Sequence, residues 1–425
     1  MTLAERRRFA LVCLALVVWP LGGEATTEVA VQVGKTVQAV DNPLYFPGSS
    51  TNPLKVNDTV QGTDIGAAFR MPMPSDRSFL AVGATASQQK YGTLSAFDYT
   101  ARQLDATYQW EYGSVLRGRL RHRYDERLYS YYGGFFTQPE TPQASQDLVE
   151  VALRMTPELD LPLTASRSQL RYNNQSLAQR YDSNDTTLQL ALSYTSGRKS
   201  TFSAGVRQTD VRFPNRSAAD IAAVDSGYSD REAYVDVAWR YSENTVVFGR
   251  IGRLDRNFAS LANRNTQLVS LSSGVEWRYS PKTFLALRGY RQPQSNDQAD
   301  LRLYVVSTGL EGRMQYDMTA KTRFALTTAY EQQAYQNFAN ATANVSSGKD
   351  KVMRMSARME YNPTRQVLLR VEGLRERIDP DPAVNTAGEF SRNSLQVGLS
   401  YTFENMAGAN RARTQLETMR YDRIR

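Results

Sequence analysis

From residue 27 onward, apolar and polar residues alternate with a period of two along almost the whole chain. That period belongs to strands with one apolar and one polar face, and not to helices. In segment 115–130, Leu116, Gly118, Leu120, Tyr124 and Leu128 share one face, and Arg117, Arg119, Arg121 and Arg123 share the other. Leu188, Leu190, Leu192 and Tyr194 oppose Thr187, Gln189, Ala191 and Ser193. Leu271, Val275, Trp277 and Tyr279 oppose Ser270, Ser272, Glu276 and Arg278. A helix here would scatter charge around every side.

Eighteen such segments are predicted, near 27–40, 56–70, 78–91, 95–111, 115–130, 145–157, 162–175, 183–195, 201–213, 228–241, 245–257, 264–279, 283–292, 299–317, 322–336, 350–361, 366–378 and 389–403. An even number suits a single-chain transmembrane barrel with both termini on one side, and sixteen remains open. Connections after even segments are mostly short, as at 112–114, 158–161, 196–200, 242–244, 280–282, 318–321 and 362–365. Those after odd segments are longer, as at 41–55, 131–144, 176–182, 214–227, 337–349 and 379–388. The link 92–94 breaks the rule. Short periplasmic turns and long outer loops are the habit of outer-membrane barrels, and a chain that starts in the periplasm places them in this order.

Aromatic residues favour the same reading. Even segments end in Trp110 and Tyr112, Tyr194, Trp239 and Tyr241, Trp277 and Tyr279, Tyr316, Tyr361, and Tyr401 and Phe403. Rings with a polar handle settle at a membrane–water boundary. A soluble sandwich or propeller gives no such bias toward every second strand end. The expected fold is therefore an all-β, antiparallel, up-and-down transmembrane barrel over 26–404.

The N-terminus carries Arg6, Arg7 and Arg8 before an apolar run from Phe9 to Trp19, and small residues at Gly23 and Ala25. This reads as a secretory signal, cleaved after Ala25. The only cysteine, Cys13, lies in that run, so the mature chain has none, which suits an oxidising compartment. No other apolar run approaches the roughly 20 residues of a spanning helix. Mean hydropathy is −0.51, compatible with a barrel because lumen residues dilute the lipid face. The net charge of +8 is mild for 425 residues and indicates no nucleic-acid partner. Part of it sits in a basic segment, 405–425, holding Arg411, Arg413, Arg420, Arg423 and Arg425. The segment is expected in the periplasm, as a short amphipathic helix meeting a partner or as a solvated end.

Little points to catalysis, and no enzyme activity, metal or cofactor is expected. With His122 as the sole histidine, histidine metal clusters are out. By alternation His122 falls on the lipid-facing row, where a lipid-acting Ser–His–acid site would be the only enzymatic reading. Asp379 and Asp381 alternate with prolines and read as a turn. The predicted lumen row includes Arg117, Arg119, Arg121, Arg123, Arg240, Arg278, Arg313, Arg354, Arg358 and Arg370, accompanied by Asp236, Glu276, Glu311, Glu331, Glu360 and Glu372. Arg rings favour anions, whereas Arg–Glu pairs between strands only stiffen the wall. The wall reading suits most of the row. For the strand of four arginines the functional reading is expected, because no neighbouring strand offers four matching acids.

Segment 396–403 carries polar Gln396, then Gly398, then the aromatics Tyr401 and Phe403 at alternating positions, and resembles the terminal strand signal read by the barrel-assembly machinery, although here 22 residues follow it. Val40, Asp41, Asn42, Pro43, Leu44 and Tyr45 resemble the Asp-Asn-Leu-aromatic element of a family of β-barrel porins encoded with exopolysaccharide synthesis genes, with Pro43 as an interruption. The Tyr- and Arg-rich strands, such as 234–241, and the ending 395–403 are similar too. The resemblance implies an outer-membrane conduit for a secreted, acidic polysaccharide, working with periplasmic export and synthesis proteins. It transfers no site residue. The alternative is a diffusion porin for small, anionic solutes, with 131–144 or 214–227 as a constriction loop. A lipid-acting enzyme and a structural barrel serving periplasmic electron-transfer proteins complete the expectations. No Cys-x-x-Cys-His haem site is present.

Overall fold

The computed structural model describes residues 27–73, 77–128, 139–294, 304–336, 348–381, 388–405 and 411–419. The signal sequence expected at 1–25 lies outside them. The strands are β1 (Glu28–Val40), β2 (Asp58–Pro72), β3 (Phe79–Tyr91), β4 (Tyr99–Tyr112), β5 (Leu116–Glu126), β6 (Gln143–Arg154), β7 (Leu159–Arg171), β8 (Ser183–Thr195), β9 (Thr201–Arg212), β10 (Gly227–Ser242), β11 (Thr245–Phe258), β12 (Thr266–Ser280), β13 (Thr283–Gln294), β14 (Tyr304–Asp317), β15 (Thr322–Gln336), β16 (Lys349–Tyr361), β17 (Val367–Asp379) and β18 (Phe390–Glu404). Each pairs antiparallel with its neighbours in sequence, and β18 returns to pair with β1 from Ala30 opposite Glu404 to Val40 opposite Ser394. The result is a closed 18-stranded up-and-down barrel with no free edge. The described strands run from 11 to 16 residues, enough to cross a bilayer when tilted.

The eighteen predicted segments match these strands to within a few residues, with two informative shifts. β4 begins at Tyr99 because Ser95–Phe97 form a 3-10 turn, so the link expected at 92–94 spans 92–98 and obeys the long-loop rule after all. Likewise β12 begins at Thr266, after a 3-10 turn at Ala262–Arg264. Period-two reading extends a strand into any loop that happens to alternate, and only the closing hydrogen bonds reveal the turn.

The apolar rows face outward. Ile65, Leu188, Val206, Ile251, Leu310 and Leu399 are all exposed on the described chain, the inverse of a soluble core. At the short-turn end the outward aromatics form the expected belt: Tyr112, Tyr194, Trp239, Tyr241, Trp277, Tyr279, Tyr361, Tyr401 and Phe403 are exposed. Trp239 meets Tyr241 edge-on at 5.4 Å, and Trp277 meets Tyr279 at 5.0 Å. Trp110 stacks on Tyr108 and lies across Gly118, where a Cβ would come within 1.9 Å of the indole.

The other end carries the long loops, and several are folded. Asn42 adopts a positive φ of 51° and holds its own loop. Its amide donates to the carbonyls of Phe46 (2.7 Å) and Ser391 (2.9 Å), and its oxygen accepts from the Phe46 N–H (2.7 Å). This turns Leu44 and Phe46 onto Leu94 and Phe97, a small buried cluster joining the first two long loops. Asp58 pins the same pair by accepting from the N–H groups of Thr93 and Leu94 at 2.8 Å. The motif expected to mark a family thus has a local structural task. Two short helices cap further loops: α1 (Gln175–Tyr181), started by Asn174, and α2 (Ala218–Val224), started by Ser217.

A third helix, α3 (Arg411–Met419), follows β18. It lies on the inward wall of β1–β3, where Ala412 and Leu416 pack on Ala30 and Ala68. The segment expected as a periplasmic tail meeting a partner therefore docks, over 411–419, onto its own barrel. The reason is steric: Gly66 and Gly83 leave space that the side chains of Leu416, Gln415 and Met419 occupy. Residues 406–410 and 420–425 lie outside the description.

Candidate functional site

The inward face is the surface any solute would meet. Parity settles which side chains line it: on β5, Leu120 is outward and exposed, so Arg117, Arg119, Arg121 and Arg123 point inward, as expected. The expectation that these four stand as free cations, because no neighbouring strand offers four matching acids, is corrected. Arg117 pairs with Asp160 at 2.7 Å, Arg119 with Glu150 at 2.6 Å, and Arg121 and Arg123 both with Asp105. No single neighbouring strand supplies four acids, but β4, β6 and β7 together supply three. Asp160 reaches Arg117 across the whole width of β6. Side chains this long are not confined to the adjacent strand.

Most of the remaining predicted row is paired as well. Arg313 meets Glu311 at 2.6 Å, Arg354 meets Glu376 at 3.0 Å, Arg358 meets Glu360 at 3.2 Å, and Arg370 meets Glu372. Arg240 and Arg278 differ. Both are exposed, and among the described residues neither has a carboxylate within ion-pair distance. They stand on β10 and β12 near the short-turn end, with Glu276 as the inward acid of that stretch.

Two buried carboxylates organise the wall and were not singled out by sequence pattern as hubs. Glu232, only 3% exposed, accepts from Arg207 and Arg250 at 2.8 Å each and from Ser270 at 2.6 Å. Gly252 leaves the room it needs, since a Cβ there would be 2.4 Å from the Glu232 carboxylate. Arg250 also lies over the Tyr234 ring, 3.8 Å from its centre. Glu331 accepts from Tyr290 (2.7 Å), Ser307 (2.8 Å) and Gln333 (2.8 Å). Nearer the long loops, Arg256 makes a two-pronged pair with Asp230, both distances 2.7 Å. The wall is thus stiff and charged.

The helix α3 adds the feature that sequence analysis placed elsewhere. Its N–H at Arg411 donates to Glu28, Arg413 pairs with Glu404, and Gln415 donates to the Asp105 carbonyl at 3.1 Å. A cavity of about 230 Å³ separates it from the wall, lined by Arg70, Asp105, Thr107, Arg121, Arg411 and Gln415 with their neighbours. A readable signal existed: Ala30, Gly66, Ala68, Ala81 and Gly83 make one small-residue patch on an inward surface that elsewhere bears long polar chains.

His122 occupies the outward row, as expected, and its Nδ1 lies 2.7 Å from Asp147. Among the described residues no serine hydroxyl bonds to this ring, so the pair lacks the nucleophile a triad requires. Gly398 faces inward against Thr36, while Tyr401 and Phe403 are outward, opposite Val33 and Val31 of β1.

No protein-family profile and no curated relative matches the chain. Solved structures do. The chain is similar to Pseudomonas aeruginosa OprD, with a TM-score of 0.47, 10% identity, and coverage of 90% of this chain and 98% of the other. For Pseudomonas aeruginosa OccK2 (OpdF) the values are 0.48, 11%, 90% and 98%. For the siderophore receptor PirA of the same organism they are 0.45, 8%, 90% and 81%.

Proposed function

We propose that this protein is an outer-membrane diffusion pore for small, polar, preferentially anionic solutes. The observation that carries the reading is the lumen itself: a closed barrel with a charged inward wall, narrowed by its own helix α3. The ion pairs neutralise most of the wall, so among the described residues the inward cations that bias the potential include Arg70, Arg240, Arg278, Arg288 and Arg411, none of which has a carboxylate within ion-pair distance. The terminal strand, with Gly398, Tyr401 and Phe403, serves as the assembly signal, and α3 and the short turns face the periplasm.

The polysaccharide conduit implied by the family resemblance gains no support from the structure or from any match. A helix standing in the lumen favours small solutes over a hydrated polymer. Planar-bilayer recording of the refolded, signal-free barrel separates the two. Discrete conductance with anion over cation selectivity, indifferent to an acidic polysaccharide, is expected. Cation selectivity would overturn the anion preference. A large conductance blocked by low concentrations of the polymer would return the conduit.

A further inference from the structure

The cavity between α3 and the wall has an unbalanced set of polar groups. Of its three arginines, Arg121 is held by Asp105, with Nε 3.1 Å from Oδ2. Among the described residues, neither Arg70 nor Arg411 has a carboxylate within 4.0 Å of its guanidinium. Glu28, beside them, accepts the backbone N–H of Arg411. Arg70 lies flat over the Phe79 ring, 3.4 Å from its centre. Stacking fixes the plane of a guanidinium and leaves its edge N–H donors free for a planar, two-oxygen acceptor. Gln415 contributes the opposite deficit: its amide nitrogen donates to Asp105, while its Oε1 is buried and accepts no hydrogen bond. A buried acceptor left open is uncommon and asks for a donor.

We propose that this cavity is a solute subsite for a small hydroxylated carboxylate, a sugar acid in class. The carboxylate bridges Arg70 and Arg411, and a hydroxyl of the same molecule donates to Gln415 Oε1. The volume, about 230 Å³, corresponds to about eight waters at ~30 Å³ each, room for one such molecule. The site exists only because α3 is docked, since the helix brings Arg411 and Gln415 to Arg70. The subsite rests on the reading of the barrel as a pore for small anions and deepens it.

The test is calorimetric titration of the full mature chain, refolded in detergent, with glucuronate, glucose, acetate and inorganic phosphate. Saturable glucuronate binding is expected, with no binding of glucose. Arg70→Gln and Arg411→Gln should each weaken glucuronate binding by about tenfold or more, the effect of losing one charge-assisted bond. Gln415→Leu should narrow the preference for glucuronate over acetate. Arg411 lies outside the strands, so Arg411→Gln leaves the barrel ladder intact, and heat-dependent gel mobility verifies folding of every variant. Equal glucuronate affinity in wild type and Arg411→Gln would overturn the subsite, and so would binding of phosphate without glucuronate. Recording conductance on the same preparations keeps the two readings apart. An anion-selective pore whose glucuronate binding ignores Arg411 loses the subsite alone, whereas Arg411-dependent binding in a barrel that does not conduct loses the pore alone.

Discussion

Single residues in this barrel act mainly by neutralising or orienting their neighbours. Glu232 is the clearest case: two guanidiniums and a hydroxyl converge on one buried carboxylate. Glu232→Ala would strand Arg207 and leave Arg250 with only the longer contact to Asp236, 3.5 Å. A loss of about 1–3 kcal/mol is expected, below the figure for fully buried pairs because both arginines keep some solvent. Urea titration of the refolded barrel measures it, and the loss of one carboxylate from the wall should raise anion selectivity in the same variant. An unchanged midpoint together with unchanged selectivity would show that the cluster is not a hub. Asn42 acts on the backbone instead. Its side chain satisfies three main-chain groups while φ is positive, so Asn42→Ala should loosen the first long loop without opening the barrel. Limited proteolysis would show faster cleavage within 41–57 and an intact strand core.

At the scale of elements, the long loops are tied in pairs by carboxylates and the helix is tied to the wall by apolar contact. Asp225 accepts N–H bonds from Ser226, Ser260 and Leu261 and so joins the loop bearing α2 to the loop before β12. Burial pushes its pKa up, and the three donors more than offset this, leaving it below the usual carboxylate value. A depressed folded pKa means stability that is present above the unfolded value, near 4, and lost as pH falls through the folded one. Hydrogen exchange at 213–226 and 259–265 should therefore accelerate in acid, below about pH 4. Protection that persists through that range would argue against the tie. For α3, the contact is Leu416 between Ala30 and Ala68. Burying a leucine contributes about 1.5–3 kcal/mol, so Leu416→Asp should release the helix and raise single-channel conductance. Conductance equal to wild type would mean that α3 does not limit the path.

For the whole molecule, stability depends on closure. Every strand has two partners only because β18 reaches β1. Residues Tyr401 and Phe403 stand at the far end of that seam, opposite Val33 and Val31. Phe403→Ser should lower the yield of folded barrel in membranes while leaving refolding in detergent largely intact, if the terminal row is read during assembly. Equal membrane yields for the two proteins would remove that role. Truncation before β18 is a harsher case: it exposes two long edges, and aggregation is the expected outcome.

The strands, their number, the alternation of short and long connections and the aromatic belt were legible because each is a local pattern. Period two follows from the pleat, turn length from the side of the membrane, and ring placement from the interface. The inward placement of Arg117 to Arg123 followed from the same parity. Their partners did not. Asp160 lies two strands from Arg117, and Asp105 serves two arginines at once, a sharing that depends on reach across the wall and not on sequence spacing. The destination of the basic C-terminal segment was likewise undecided by its own residues, since an amphipathic nine-residue helix fits a partner, a solvent or a wall equally well. Only the registers of β1 with β2 and of β2 with β3 set Ala30, Gly66, Ala68 and Gly83 side by side as a surface small enough to receive it. The sequence by itself determined an antiparallel barrel of about eighteen strands and which face of each looks inward, and closure of the sheet fixed the count. The tertiary structure alone decided which charges in the lumen are cancelled and what stands in it, because both depend on distances between residues far apart along the chain.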